Sequence, residues 1–257
     1  MKKITIRQII TILATLLTIT VNGLANALPL NGQSTGEISD RFSIYFVPAG
    51  YVFSIWGLIY IGLIAFAIYQ ALPNQRENEI IKKISPAYWI GNLANSAWIF
   101  LWHFEFFPLT LIAMLILLAS LLYIYVQLGG PSSGLENGQK WFVNTPFSIY
   151  LGWISVATIA NFSQVLFFLG WGGWGISPAI WAVILLAIAT LLGLLMLWRE
   201  TDRPYALVLV WAIIGIASSQ ADTPIVSSAS WFSVGGLILG LLIISLSQQR
   251  LKREARS

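Results

Sequence analysis

The class of fold follows from one stretch, residues 47–72, which reads VPAGYVFSIWGLIYIGLIAFAIYQAL and carries no charged side chain. The stretch is longer than the ~20 residues that an α-helix needs to cross the hydrocarbon core of a bilayer. Its apolar residues run continuously and do not alternate with polar ones, a pattern that favours a helix over a strand of a membrane β-barrel. These residues therefore predict a transmembrane helix.

Seven further stretches have the same character, and together they predict an all-α membrane bundle of eight transmembrane helices. The predicted helices span residues 8–28, 47–72, 86–107, 108–128, 141–169, 178–198, 205–221 and 225–248. Pro86, Pro108 and Pro178 are expected to begin helices, because a first-turn residue needs no backbone N–H. We expect residues 1–170 to form a five-helix membrane bundle, and residues 171–257 to add three helices and a basic tail.

Composition excludes several classes of protein. The 257-residue chain is 57% hydrophobic and 9% charged, whereas soluble domains are ~45–50% apolar and ~25% charged. An ordinary cytosolic enzyme and a disordered chain are therefore excluded. The lack of Cys excludes a disulfide, a thiolate nucleophile and an iron–sulfur cluster. A single His cannot form a multi-histidine metal or haem site, so neither a metal nor a resident cofactor is expected.

The basic residues of the predicted loops indicate the orientation of the chain. Alternate connections carry 13 Lys and Arg on one side of the predicted membrane and 1 on the other, which accounts for all 14. By the positive-inside rule both termini lie in the cytoplasm, and the expected location is a bacterial inner (plasma) membrane. The basic tails therefore indicate topology rather than a nucleic-acid partner.

The first predicted helix also has features of a signal peptide. Lys2 and Lys3 precede an apolar run, and Ala25-Asn26-Ala27 resembles a small-x-small cleavage site. We expect this helix to be retained, and cleavage is the alternative. Either outcome leaves the predicted orientation of the other seven helices unchanged.

Charged residues are missing from the middle of every predicted helix. Intramembrane carboxylates mark proton relays and ion-coupled transport, and paired carboxylates carry acid–base catalysis. The sequence therefore disfavours a proton-driven pump, a channel with a charged filter and an enzyme. His103 and Glu105 lie at the corner between the third and fourth helices, where we expect solvated side chains. A polar gate beside a pocket is the alternative.

The helices are rich in aromatic residues and carry several neutral amides. The chain has 12 Trp, 9 Tyr and 14 Phe. Trp56, Trp98 and Trp153 lie several residues inside their helices, away from the interfacial ends where such residues usually gather. Amides such as Asn26 and Asn161 are costly in lipid unless they are paired. They either join helix to helix or line a small-molecule pocket, and the pattern leaves both interpretations open.

Three segments resemble the helices of one known family. Residues 47–60, VPAGYVFSIWGLIY, resemble the second helix of the TspO/MBR family, the translocator proteins or tryptophan-rich sensory proteins. Residues 92–100, NLANSAWIF, resemble its third helix, and residues 153–162, WISVATIANF, are similar to its fifth. The resemblance covers about residues 8–169, the first five predicted helices.

The resemblance implies a five-helix bundle with a pocket open toward the loop after the first helix. Members of the family bind porphyrins, cholesterol-like lipids and hydrophobic drugs. Positions that match the family near this pocket, together with an amide at the end of the first helix, are the predicted ligand-binding residues. They are Asn26, Phe53, Trp56, Tyr60, Asn95, Trp98, Trp153, Ala157 and Asn161.

The sequence departs from the family pattern in three places. Ala49 stands where the family has the second of two prolines, and Pro146 lies seven residues before Trp153 where the family has proline-tyrosine four residues before it. Three helices also follow the usual five. In the last of them, Gly236 and Gly240 lie one turn apart and predict a close-packed helix face. That face would replace a homodimer interface or modify the pocket.

The predicted function is that of a membrane receptor or carrier for a hydrophobic or planar aromatic ligand. Such a ligand is tetrapyrrole-like or sterol-like, and a flat ring system would stack on Trp and Tyr. The expected partners are this ligand and membrane lipid, without nucleic acid, and a homo-oligomer is compatible with the pattern.

Two alternatives stay open. One is an eight-helix secondary transporter of a small uncharged solute, because Phe-Ser-Ile-aromatic occurs at residues 53–56 and again at 147–150, as an inverted repeat would place it. The other is a membrane scaffold with no ligand.

Overall fold

The computed structural model describes residues 4–28, 30–130 and 137–254, with the side chains of Asn26 and of residues 250–254 outside the description. The described residues form helices joined by turns and contain no strand, which confirms the all-α fold. Eight helices have 17 residues or more. They are α1 (Ile6–Ala27), α2 (Ile55–Ala71), α3 (Glu79–His103), α4 (Phe107–Leu128), α5 (Thr145–Phe168), α6 (Pro178–Glu200), α7 (Arg203–Ser219) and α8 (Pro224–Glu254).

Six segments of the described chain are long and apolar enough to cross a membrane. They are Ile6–Ala25, Gly50–Ala71, Phe107–Leu128, Asn137–Phe168, Pro178–Glu200 and Pro224–Gln249. The other two long helices differ for visible reasons. α7 has only 17 residues, and α3 has 25 residues but begins with charged side chains and contains buried amides. That α3 and α7 also cross the membrane stays a prediction.

The beginnings of the helices test the predicted role of proline. Pro178 is the first residue of α6, after a Ser177 side chain that accepts the Ile180 N–H. Pro108 is the second residue of α4. Pro86, however, lies inside α3, so the prediction that it begins a helix is wrong. Two additional turns form before it because the Asn78 side chain caps the helix, accepting the Ile81 N–H at 3.1 Å.

Met1–Ser43 and Phe53–Trp171 form one compact unit that contains α1 to α5. Its five helices make a closed ring in the order α1, α2, α5, α4, α3 and back to α1. Small residues allow close approaches in the ring. A Cβ added at Gly62 of α2 would lie 3.0 Å from Cβ of Pro146 in α5, and one at Gly91 of α3 would lie 3.3 Å from Cβ of Ser120 in α4.

The connection between α1 and α2 folds over one end of this ring. Residues 30–43, which we call the loop cap, contain a short helix, Thr35–Asp40. Its Ile38 is fully buried in a core cluster with Trp102, Phe107 and Val165. Phe42 packs on the same cluster, with its ring stacked on Trp102 at a centroid distance of 5.9 Å. The loop cap is therefore an ordered part of the bundle.

Ile44–Val52 and Gly172–Ser257 form the second unit, in which α6, α7 and α8 each pack against the other two. A Cβ at Gly240 of α8 would lie 2.9 Å from Leu194 of α6, so the predicted close packing holds there. A Cβ at Gly236 would meet nothing within 4 Å, so the prediction is wrong at that residue. Leu237 of the packed face is fully buried, and at ~100° per residue Gly240 lies closer to it around the helix than Gly236 does.

Candidate functional site

Five aromatic rings from α2, from the turn that leads into it and from α5 gather in the first unit, and we call them the α2–α5 aromatic cluster. The cluster comprises Phe53, Trp56, Tyr60, Tyr150 and Trp153. Trp56 is at its centre, stacked on Tyr60 at 5.7 Å between ring centroids and edge-on to Tyr150 at 6.0 Å and to Trp153 at 6.1 Å. Phe53 meets Trp153 edge-on at 5.8 Å. These are the distances and tilts that aromatic pairs prefer.

Helical spacing explains why these rings meet. Trp56 and Tyr60 are four residues apart on α2, and Tyr150 and Trp153 are three apart on α5, so each pair shares one helix face. Of the nine predicted ligand-binding residues, the structure brings Phe53, Trp56, Tyr60 and Trp153 into this cluster. Tyr150 was not among the predicted residues, although its position one turn before Trp153 is a signal that could have found it.

The indole N–H of Trp153 is the unusual polar group of the cluster. The side chain of Trp153 is 2% exposed, and its Nε1–H has no hydrogen-bond partner among the described residues. Other indoles of the chain donate to protein oxygens: those of Trp89, Trp98, Trp102, Trp181 and Trp211. A buried donor left unpaired costs on the order of 1–3 kcal/mol. The indole of Trp153 is therefore a donor available to an acceptor atom that enters the cluster.

Asn95 connects the cluster to the rest of the ring of helices. The side chain is buried, accepts a hydrogen bond from Nδ2 of Asn22 at 2.7 Å and donates from its own Nδ2 to the Tyr150 hydroxyl at 2.9 Å. Its amide is therefore used inside the protein, where it fixes the position of the Tyr150 ring.

Trp98 and Asn161 lie in a different environment, beside the loop cap. Trp98 Nε1 donates to Asn161 Oδ1 at 3.2 Å, and Asn161 Nδ2 donates to Thr110 Oγ1 at 2.9 Å. The Trp98 ring stacks on Trp102 at 5.1 Å. Ala157, which is partly buried, lies on α5 one turn from Trp153 and one turn from Asn161. The predicted residues thus fall into two groups along α5, with Ala157 between them.

Asn26 is the remaining predicted residue. Its backbone belongs to α1, and its side chain lies outside the described part of the chain, so its role stays a prediction.

His103 and Glu105 are placed differently from each other. His103 is 1% exposed. Its Nδ1 lies 3.0 Å from the Leu30 carbonyl, which can only accept, so Nδ1 donates, and its Nε2 lies 3.1 Å from the Thr35 hydroxyl. The prediction that His103 is solvated is therefore wrong, because the loop cap covers it. Glu105 is partly exposed and forms an ion pair with Arg41 at 2.9 Å.

A seam of polar side chains joins α1 to α3, and the sequence analysis did not identify it. The Thr15 hydroxyl lies 2.6 Å from that of Tyr88, and Thr18 donates to Asn92 Oδ1 at 2.6 Å. The seam residues of α1 are Thr11, Thr15, Thr18 and Asn22, and all four are buried. Their spacing of four, three and four residues places them on one helix face, a signal that the sequence does contain.

The α2–α5 aromatic cluster presents ring faces and a polar donor rather than ionisable catalytic groups. The cluster offers flat ring faces and one unpaired donor. In the part of the chain that the structure describes, His, Asp and Glu do not come together in any group of three or more that could hold a metal ion.

Comparison with known proteins gives one family. A family model described as TSPO-like protein matches residues 8–243 of the chain. The match continues beyond α5 through α6, α7 and most of α8. No curated protein and no solved structure matches the chain.

Proposed function

The chain belongs to the TSPO-like protein family, and from that premise we propose that it is a membrane receptor or carrier that binds a planar aromatic ligand of the tetrapyrrole class at the α2–α5 aromatic cluster. Family and apolar helices together make the chain an integral membrane protein. The ligand, the site and the location in a bacterial inner membrane with both termini in the cytoplasm are parts of the proposal.

The observation that carries the proposal is the unpaired indole of Trp153. A buried donor in a low-dielectric interior is stabilised by any acceptor that reaches it, so the site favours a ligand that brings an acceptor oxygen or nitrogen. Because the donor is surrounded by aromatic rings, the rest of the ligand must be apolar.

The arrangement of the rings supports a flat ligand. Trp56 and Tyr60 stack nearly parallel, with 22° between their planes, so each ring turns one face away from the other, and the pair forms an aromatic wall. Tyr150 and Trp153 are buried, whereas Phe53, Trp56 and Tyr60 are only partly buried, so the wall keeps uncovered surface against which a ring system can stack. A sterol could satisfy the indole through its hydroxyl but has no π-face for the wall. A tetrapyrrole supplies both an acceptor atom for the indole and a flat ring face for the wall.

The alternative of a membrane scaffold has one observation in its favour. The buried amides of Asn92, Asn95 and Asn161 are hydrogen-bonded within the protein, as amides that join helices would be. This explanation accounts for the amides but leaves the indole of Trp153 without a partner.

The test is a titration of the purified wild-type protein in detergent with protoporphyrin IX, followed by the shift of the porphyrin absorption band. Cholesterol is the competitor. We expect saturable porphyrin binding that cholesterol displaces weakly. Absence of saturable binding would contradict the proposal, and efficient displacement by cholesterol would contradict the ligand class. Porphyrin flux into proteoliposomes then separates a carrier from a receptor.

A further inference from the structure

One face of α7 is occupied by the chain segment that leads into α2. Trp211, Gly215 and Ser218 are spaced by four and three residues and therefore share a helix face. All three contact the segment Ile44–Val52, which belongs to the same compact unit as α7. Tyr51 of this segment meets the Trp211 ring edge-on at 5.4 Å, and its hydroxyl lies 3.5 Å from that of Ser218.

The closest contacts are made by backbone groups. Trp211 Nε1 donates to the Val52 carbonyl at 3.2 Å. The Ala49 N–H donates to the Gly215 carbonyl at 3.1 Å. Because these hydrogen bonds involve two backbone groups of the segment, they fix the position of its backbone.

Gly215 makes this approach possible. A Cβ at Gly215 would overlap Cγ2 of Val52 and lie 3.1 Å from Cβ of Pro48. Val52 is fully buried, and its β-branched side chain has little χ1 freedom with which to turn aside. A side chain at residue 215 must therefore displace the segment.

The held segment continues without a break into the proposed ligand site. The 3₁₀ turn Gly50–Ser54 runs directly into α2, which begins at Ile55. Val52 is followed by Phe53, and Trp56 lies one turn further on. Both rings belong to the α2–α5 aromatic cluster and meet Trp153.

We propose that α7 positions the ligand site, with Gly215 and Trp211 as positioning residues: by holding Ala49 and Val52, they set where α2 begins and so where the rings of Phe53 and Trp56 lie. This inference rests on the proposed function. It also gives α7, one of the helices beyond the fifth, a role in binding through the chain segment that leads into α2.

The test combines amide hydrogen exchange with protoporphyrin IX affinity per folded molecule. Gly215→Ala is expected to raise exchange in residues 49–56 and to weaken porphyrin binding about fivefold or more. The double variant Gly215→Ala/Val52→Ala is the rescue, because it removes the overlapping Cγ2 and leaves Cβ of Pro48 at 3.1 Å and Cβ of residue 52 at 3.3 Å from the new methyl group. It is expected to restore both measurements toward wild type.

Gly235→Ala is the matched control. A Cβ at Gly235 would meet nothing within 4 Å, so this variant should behave as wild type in both measurements. If the wild type binds porphyrin and Gly215→Ala binds it equally well, the positioning role of α7 is overturned, whether or not amide exchange is faster. The proposed function would stand in that case. A loss that the double variant does not restore would overturn it as well. Absence of porphyrin binding by the wild-type chain would overturn the proposed function, and this inference with it.

Discussion

Two buried residues, Trp153 and His103, differ in whether their side-chain nitrogens have hydrogen-bond partners. Both have polar nitrogens inside the protein. Those of His103 are paired with Leu30 and Thr35 of the loop cap, whereas that of Trp153 has no partner among the described residues. Pairing indicates a structural role for His103, whereas the unpaired donor of Trp153 is the basis of the ligand site that we propose.

Sequence could predict that Trp153 lies inside the membrane but could not predict the state of its N–H. Position in a helix follows from hydropathy, whereas a hydrogen-bond partner depends on which side chains of other helices come within about 3 Å. The same limit explains the error at His103. Its neighbour Glu105 suggested a solvated corner, and the residues that bury the imidazole are about 70 positions earlier in the chain.

The contrast between His103 and Glu105 makes a prediction for two variants. His103→Ala leaves the Leu30 carbonyl and the Thr35 hydroxyl without their partner and should lower the free energy of unfolding by about 1–3 kcal/mol. Glu105→Gln removes a half-exposed ion pair with Arg41 and should cost less than about 1 kcal/mol. Thermal unfolding in detergent measures both.

Porphyrin affinity of the same two variants tests the alternative of a polar gate. If both retain the wild-type affinity per folded molecule, the gate is excluded. If Glu105→Gln destabilises the protein more than His103→Ala, the structural role given to His103 is wrong.

At the scale of the elements, hydropathy predicts the centres of the helices and misses some of their ends. The apolar run starts at Pro86, whereas α3 begins seven residues earlier, at Glu79. The charged turn Glu79–Lys82 lies outside such a run, yet it is helical, with Lys82 bonded to Glu77 and Glu79. Hydropathy does not predict which residues pack between helices. Gly240 packs closely against α6 and Gly236 does not, although both are glycines of the same helix.

The polar seam between α1 and α3 makes a prediction at this scale. Thr18→Val removes the donor to Asn92 Oδ1 and should lower stability in detergent by roughly 0.5–1.5 kcal/mol, the range of hydrogen bonds between membrane helices. Thr20→Val is the matched control, because Thr20 is exposed on the same helix. Equal melting temperatures of the two variants would contradict a stabilising role for the seam.

The seam also bears on the first helix. α1 contributes Thr15, Thr18 and Asn22 to hydrogen bonds with α3, so cleavage after residue 27 would remove the partners of Tyr88, Asn92 and Asn95. Retention of α1 stays a prediction, and an intact-mass measurement of the purified protein tests it.

At the scale of the whole molecule, the family match covers both compact units. The resemblance read from the sequence ended near residue 169, whereas the family model extends to residue 243. α6 to α8 therefore lie within the matched part of the family and are not a tail outside it. Composition and periodicity could predict that these helices exist, and only the fold could associate α7 with the segment before α2.

Orientation is also a property of the whole chain. The 13:1 division of basic residues predicts both termini in the cytoplasm. Because the chain has no Cys, a single cysteine placed at residue 257 by Ser257→Cys can be labelled selectively. We expect an impermeant reagent to leave it unlabelled in intact cells. Labelling from outside would contradict the predicted topology and place the C-terminus on the opposite side of the membrane.

The central claim is that the unpaired indole of Trp153 belongs to a ligand site, and Trp153→Phe tests it most directly. This substitution keeps an aromatic ring and removes only the N–H and part of the ring area. Because the N–H has no partner among the described residues, its removal should change stability without ligand by less than about 1 kcal/mol, as the relief of the buried donor offsets the smaller ring. Trp198→Phe is the control, since Trp198 is 80% exposed.

The measurement is protoporphyrin IX affinity and melting temperature on the same preparations of wild type, Trp153→Phe and Trp198→Phe. We expect Trp153→Phe to bind about 5- to 30-fold more weakly, corresponding to a lost hydrogen bond of about 1–2 kcal/mol, while its melting temperature stays near that of wild type. Trp198→Phe should match wild type in both. Wild-type affinity in Trp153→Phe, or an equal loss in Trp198→Phe, would contradict the account.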